Sequence, residues 1–179
     1  RYIGGVREDV LSDVAIDKQN NLYIIGSSNS CNYPIKNAYK SIPGSCQFGF
    51  NRDIVYTKMN ANSQLVYSSY FGGDNIPFPP GGLNQNFDNG VAIDADSLGF
   101  VYMVGSIWNS TDLTMFNNTW NNIGTIFNSV SDGRGGVLIR VDNTNGTPDF
   151  CSEIGVFATM KDVKVLTDPT ILNQTILIC

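Results

Sequence analysis

Apolar and polar residues alternate in short runs along the chain, and no stretch sustains a helical period of convincing length. Asp13-Val14-Ala15-Ile16-Asp17 alternates. Lys18-Gln19-Asn20 is polar, and Asn21-Leu22-Tyr23-Ile24-Ile25-Gly26 is an apolar run of β-branched and aromatic residues. Two such runs either side of a short polar link predict a β-hairpin. A long segment with Pro34, Pro43 and Gly44 follows. Asp53-Ile54-Val55-Tyr56-Thr57-Lys58-Met59-Asn60 then predicts a third strand, and Ala61 to Gln64 a turn. Leu65-Val66-Tyr67-Ser68-Ser69-Tyr70-Phe71 predicts a fourth strand, closed by Gly72-Gly73.

The series then restarts. Val91 to Asp94 repeats Val14 to Asp17 at a shift of 77, and Phe100 to Gly105 repeats Asn21 to Gly26 at 79. Val137 to Asp142 repeats Val55 to Asn60 at 82, and Phe150 to Gly155 repeats Tyr67 to Gly72 at 83. Loops take insertions that strands do not, so the growing shift assigns the extra residues to Asn75–Phe87 and Ser106–Arg134. A third start, Asp162-Val163-Lys164-Val165 followed by Gln174-Thr175-Ile176-Leu177-Ile178-Cys179, echoes the first hairpin. Tyr2-Ile3-Gly4-Gly5 echoes the end of a fourth strand. The expectation is an all-β chain of antiparallel, four-stranded, propeller-blade-like repeats, an incomplete propeller. Its units are 1–73 with a leading strand, 74–157, and a partial third repeat at 158–179.

The order Val-Ala-Ile-Asp, Asn-x-Tyr-Ile-x-Gly, a Pro-containing loop with Ala38-Tyr39, Asp-Ile-Val-x-Thr-Lys-x-Asn and Leu-Val-Tyr-Ser-Ser-Tyr-Phe-Gly-Gly resembles the SBBP family of β-propeller repeats. Arg1 to Gly73 matches closely. Asp88 to Gly155 matches in its strands and departs in its middle loop, and Asp162 to Cys179 is a partial match. The resemblance implies a propeller-type fold on a secreted or cell-surface protein, and it carries over no catalytic residue.

Closure is the physical problem this raises, because a propeller removes its sheet edges with about four to eight blades. The chain is then either a fragment of a longer propeller, a sandwich-like body of blades packed face to face, or a subunit that shares strands with identical copies. Tyr2 and Ile3 at one end, and Ile176 and Ile178 at the other, are the candidate strand-exchange residues. The N-terminal strand is expected to pair with a sheet remote in sequence, in this chain or in a neighbour.

Composition narrows the function classes. A formal net charge of −5 argues against nucleic acid, which needs a basic face. No apolar run approaches the roughly 18–20 residues that span a bilayer as a helix. The chain has no histidine, which removes the commonest general base and metal ligand. It opens at Arg1 without a methionine, as a processed protein or a piece of a longer one does. Cys31, Cys46, Cys151 and Cys179 allow three pairings. Their even number in a Lys-poor, Asn-rich chain favours an oxidising compartment, with Cys31–Cys46 and Cys151–Cys179 the preferred pairs. Sequons at Asn109, Asn117, Asn145 and Asn173 fall in predicted loops, and Pro148 weakens the one at Asn145.

Candidate chemistry is thin. Asp94 and Asp96 have the alternating carboxylates of a calcium loop without its closing glutamate, and a hairpin turn explains them as well. Ser131-Asp132-Gly133-Arg134-Gly135-Gly136 is glycine-rich but leads into a strand, not a helix that would cradle phosphate. Asp9, Asp13, Asp17, Asp53 and Asp74 offer carboxylates for glycoside cleavage. Their recurrence from repeat to repeat points instead to turns and sheet edges. Trp108, Trp120, Phe116 and Phe127 form either a carbohydrate-stacking or protein-binding platform, or a local core over a blade. These observations lead to the expectation of a non-enzymatic, extracellular, glycosylated structural protein without cofactor or resident metal, assembling head to tail with copies of itself. A monomeric adhesive or carbohydrate-binding module is the alternative, and a propeller-type glycoside hydrolase the third reading.

Overall fold

The computed structural model describes residues 2–43, 52–72, 87–97, 99–107, 135–142, 144–156, 160–166 and 175–178. It is all β. The first sheet has the order β1 (Asp9–Ile16), β2 (Leu22–Ser28), β3 (Asp53–Met59) and β4 (Leu65–Phe71). The second has the order β5 (Asn89–Ala95), β6 (Phe100–Ile107), β7 (Gly135–Asp142) and β8 (Pro148–Val156). β9 (Val163–Leu166) and β10 (Thr175–Ile178) form a two-stranded terminal sheet. Every pairing within the three sheets is antiparallel and between neighbours in sequence.

Within the two four-stranded sheets an Asx residue opens each hairpin turn, for a local reason. Its side-chain oxygen accepts backbone N–H groups that the turn would otherwise leave bare. Asp17 accepts from the N–H of Gln19 and of Asn21, each at 2.8 Å. Asn60 accepts from Asn62 and Gln64, Asp96 from Phe100, and Asp142 from Thr144. The residue needing a left-handed backbone follows: Asn20 (φ 60°) in the first turn, Gly99 (φ 95°) in the equivalent turn of the second sheet.

That equivalence corrects the sequence alignment. Matching Val-Ala-Ile-Asp letter for letter pairs Asp17 with Asp94. In the structure Asp17 N–H bonds the Asn21 carbonyl and Asp96 N–H bonds the Phe100 carbonyl, so Asp17 corresponds to Asp96. Val14 opposite Ile24 corresponds to Ile93 opposite Met103. The whole first hairpin therefore repeats at the shift of 79 seen for its second strand, because ladder register outranks a four-letter match.

The sheets stack face to face, and strand alternation decides what each face carries. Tyr23, Ile25, Ile54, Tyr56, Tyr67 and Phe71 point from the first sheet into one core. They meet Ile93, Val101, Met103, Val137, Ile139 and Val141 of the second. The other face of the second sheet, with Tyr102, Val104 and Leu138, packs against Met160, Val163 and Val165. Repeat-equivalent residues thus serve the same face: Tyr23 and Tyr102 both look toward the following sheet, Ile24 and Met103 toward the preceding one.

The chain ends depart from expectation. Residues 2–5 form no strand. Among the described residues β9 and β10 pair only with each other, so the two ends of the chain do not complete one sheet in cis. Blade order explains this. The terminal pair supplies first-type and second-type strands and the N-terminal segment resembles a fourth, so direct pairing would skip the third position. Ile3 instead packs by its side chain against Tyr33, Val55 and Tyr70 on the outer face of the first sheet.

Candidate assembly face

Two carboxylates hold the stack together. Asp13 on β1 accepts the N–H of its own neighbour Val14 through Oδ1 (2.8 Å) and that of Ile93 on β5 through Oδ2 (3.0 Å). Asp94 on β5 does the same one sheet later, accepting from Ala95 through Oδ1 (3.0 Å) and from Val165 on β9 through Oδ2 (2.9 Å). Each first-type strand is a sheet edge with outward N–H groups. The carboxylate of the preceding sheet satisfies one of them, so sheets are joined by hydrogen bonds as well as by apolar contact. Asp162, at the start of β9, makes the first half of this bridge: its Oδ1 accepts from Val163 N–H at 2.8 Å. Its side chain is 49% exposed.

A second acidic feature sits at the chain's passage between sheets. Asp9 receives the Gly5 N–H at 2.6 Å, with Ser28 and Ser30 hydroxyls donating to it as well. Its counterpart at the 79-residue shift, Asp88, is buried with Asp53 on either side of Gly72. A Cβ on Gly72 would lie 2.5 Å from Asp53 Oδ1 and 2.7 Å from Asp88 Oδ2. Lys40 Nζ donates to the Gly72 carbonyl at 2.8 Å. At both ends of the first blade a glycine, Gly5 or Gly72, lies against the aspartate at the start of a sheet, Asp9 or Asp88. The sequence carries this signal as Gly-Gly followed by a later Asp, but the variable spacing between them hides it.

The outer face of the first sheet is covered except over its edge strand β1. Tyr33 and Ile3 lie over β3 and β4, with Tyr33 Oη and Thr57 Oγ1 3.2 Å apart and Tyr33 N–H donating to Tyr70 Oη at 3.0 Å. Over β1 the cover stops. Leu11, Val14 and Ile16 are 45%, 55% and 65% exposed, whereas Ile93, the counterpart of Val14 in the second sheet, is 1% exposed beneath the first.

The remaining sequence-predicted residues are placed as follows. Asn145 is exposed, and its Oδ1 accepts from the backbone N–H (2.9 Å) and hydroxyl (2.6 Å) of Thr147, the threonine of its own sequon. Asn109, Asn117, Asn173, Trp108, Trp120, Phe116, Phe127, Cys46 and Cys179 lie outside the described residues. Cys31 is disulfide-bonded. Cys151 is half-buried against the inter-sheet core opposite Ile139, and its expected partner Cys179 lies outside the described residues. Tyr2 is 78% exposed, and its hydroxyl donates to the Gly5 carbonyl. Ile176 and Ile178 pair with Val165 and Val163 in the terminal sheet. Asp94 and Asp96, the weak calcium candidates, each accept backbone amides, Asp94 between sheets and Asp96 in the β5–β6 turn.

Ionisation follows burial. Desolvation by itself pushes Asp17 up, but hydrogen bonds from the Asn21 side chain, the Tyr23 hydroxyl and the N–H groups of Asn21 and Gln19 outweigh it and hold the carboxyl below its ordinary value. Burial, with the Asp96 charge second, pushes Tyr102 up to about 12. Tyr70 is raised to about 12, again by burial first.

These strand units, stacked face to face and joined at their first strands, are arranged as consecutive blades of a propeller. Residues 1–34 match the family model of the SBBP β-propeller repeat. No curated protein matches the chain. The matched segment contains β1 and β2 and reaches Tyr33 and Pro34 of the covering loop. The second sheet reproduces the strand order and face assignment of the first. The described part of the chain is thus two propeller-type blades and the first hairpin of a third.

Proposed function

We propose that this SBBP-repeat protein is an extracellular, non-enzymatic structural protein that assembles with copies of itself through its blade faces. The observation that carries this reading is the contrast between Ile93, 1% exposed beneath a neighbouring sheet, and its repeat counterpart Val14, 55% exposed. A face built to be covered in one repeat is open in the other, and an open apolar sheet face with an unpaired edge favours association. Head-to-tail contact of this kind does not close on itself after one step, so it builds filaments or arrays. The exposed Asn145 with its ordered sequon and the disulfide at Cys31 support an extracellular, glycosylated protein.

Light scattering after size-exclusion chromatography, with negative-stain microscopy of the concentrated native protein, tests assembly. The expected result is concentration-dependent growth into linear particles. Discrete monomers at every concentration would overturn it. Intact mass before and after enzymatic deglycosylation tests the glycan, with a mass loss expected.

A further inference from the structure

Beyond Tyr33 the covering loop runs along β4 and leaves a cleft against the β3–β4 turn. The cleft has a volume of about 490 Å³ and is lined by Lys36, Asn37, Asn60, Gln64, Leu65 and Val66. That volume is in the range that small-molecule ligands fill. It lies at the β4 edge of the first sheet, the edge opposite the open strand β1.

Its walls are fixed from behind. Lys36 N–H donates to the Ser68 carbonyl at 3.1 Å, and Ser68 N–H to the Lys36 carbonyl at 2.9 Å. Lys36 Nζ donates to the Leu65 carbonyl at 2.8 Å, and Asn37 Nδ2 to the Val66 carbonyl at 3.1 Å. Asn37 holds the left-handed backbone (φ 48°) that turns the loop here, a conformation asparagine tolerates better than most residues. On the other wall Asn60 Nδ2 donates to Gln64 Oε1 at 2.9 Å. Two N–H groups of Lys36 Nζ, the Asn37 Oδ1 and both N–H groups of Gln64 Nε2 remain uncommitted among the described residues.

Charge sets this corner apart from its repeat. The turn bonds make Asn60 and Asp142 equivalent, and the β-bulges do the same for Val66 and Asp149. The second sheet thus carries two carboxylates, one of them paired with Arg140, where the first carries an amide and a valine. In a chain of net charge −5 the cleft lining holds one ionisable side chain, the cation Lys36.

We infer that this cleft binds a sugar acid, a hydroxyl-rich ring that carries a carboxylate. Lys36 supplies a charge-assisted hydrogen bond to the carboxylate. Asn37 supplies an acceptor and Gln64 donors for ring hydroxyls. The half-buried Leu65 and Val66 supply apolar surface for the ring C–H groups. The site does not depend on the self-assembly reading.

Ligand-observed NMR titration with D-glucuronate, D-glucose and acetate tests it on monomer and assembly alike. D-Glucuronate is expected to bind at least about tenfold more tightly than either of the others, with an affinity that falls as salt rises, since the cation is exposed. Lys36→Gln should weaken it at least about tenfold, as loss of a charge-assisted hydrogen bond does, and remove the salt dependence. Val66→Asp installs the carboxylate of the second sheet and should abolish binding. Asn37→Gly keeps the left-handed turn but drops the amide, so it should weaken D-glucuronate and leave acetate unchanged. Circular dichroism reports whether each variant is folded, and Lys36→Gln, which retains a donor for the Leu65 carbonyl, decides if Val66→Asp is not. Equal affinity for acetate would make the cleft a general anion site and overturn the sugar assignment. Equal affinity for D-glucose would overturn the role of Lys36. No binding of D-glucuronate, or binding unchanged by Lys36→Gln and Asn37→Gly, would overturn the site itself.

Discussion

Asp13 Oδ2 accepts the Ile93 amide across the boundary between the two four-stranded sheets, at 3.0 Å, while its Oδ1 stays on the adjoining Val14 amide. One carboxylate therefore satisfies two edge amides on different sheets. Ile93 is 1% exposed, so its N–H has no recourse to water if the carboxylate is removed. Asp13→Ala is expected to lower the unfolding free energy by about 1–3 kcal/mol, the cost of an unsatisfied buried donor. Asp13→Asn, with one acceptor oxygen in place of two, should fall between. Urea unfolding measures this, and an unchanged midpoint for the alanine variant would contradict it.

Gly90 tests the closeness of the same boundary. A Cβ there would lie 2.5 Å from Ile25 Cγ1 and 2.6 Å from the Gly26 carbonyl oxygen on the facing sheet. The side chain can shift but the backbone oxygen cannot without moving β2. Gly90→Ala is expected to cost about 1–3 kcal/mol, as overpacking does. A thermal melt within error of wild type would show that the sheets part more easily than this contact implies.

Tyr56 makes the opposite prediction. Its ring is buried among Tyr23, Tyr67 and Phe71, yet its hydroxyl has no hydrogen-bond partner among the described residues. Burial pushes its ionisation well above the ordinary range. Tyr56→Phe keeps the ring and deletes the orphan hydroxyl, so stability should hold or rise by up to about 1 kcal/mol. A loss of more than about 1 kcal/mol, beyond the worth of an ordinary hydrogen bond, would reveal a partner for the hydroxyl, such as a buried water.

Asp17 links the first hairpin to pH. Its folded carboxyl titrates below its ordinary value of 3.8, so the unfolded chain binds the proton first as pH falls. The stabilisation is present above about pH 4 and is lost as pH drops through the folded value. Asp17→Ala is expected to destabilise by about 1–2 kcal/mol at pH 7, for several lost hydrogen bonds to a partly buried carboxylate. The gap between variant and wild type should narrow below pH 4. Denaturant midpoints measured from pH 7 to pH 2.5 check this, and a gap independent of pH would sink the assignment.

Much of the fold was legible in the sequence because strand alternation and turn chemistry are local. Leu65 to Phe71 reads as a strand to the residue, and the turns at Lys18–Asn20 and Ala61–Gln64 follow from polar residues between apolar runs. The candidate assembly face was less legible. Val14 and Ile93 look alike as letters, and only the ladder shows that they are equivalent and that one is covered. Asp88, buried beside Gly72 with Asp53, escaped notice because a lone aspartate after a loop has no local pattern.

The sequence by itself determined the period, the strand count of each blade and which residues share a face, since a two-residue repeat and a Gly or Asn at a left-handed turn are properties of neighbouring residues. The tertiary structure decided the register of the first hairpin, the bridging of sheets by Asp13 and Asp94, and the pairing of β9 and β10 only with each other among the described residues. Each depends on which backbone amides and apolar faces come within a few ångströms across sheets, and residues about 80 apart in the chain carry no local trace of that distance.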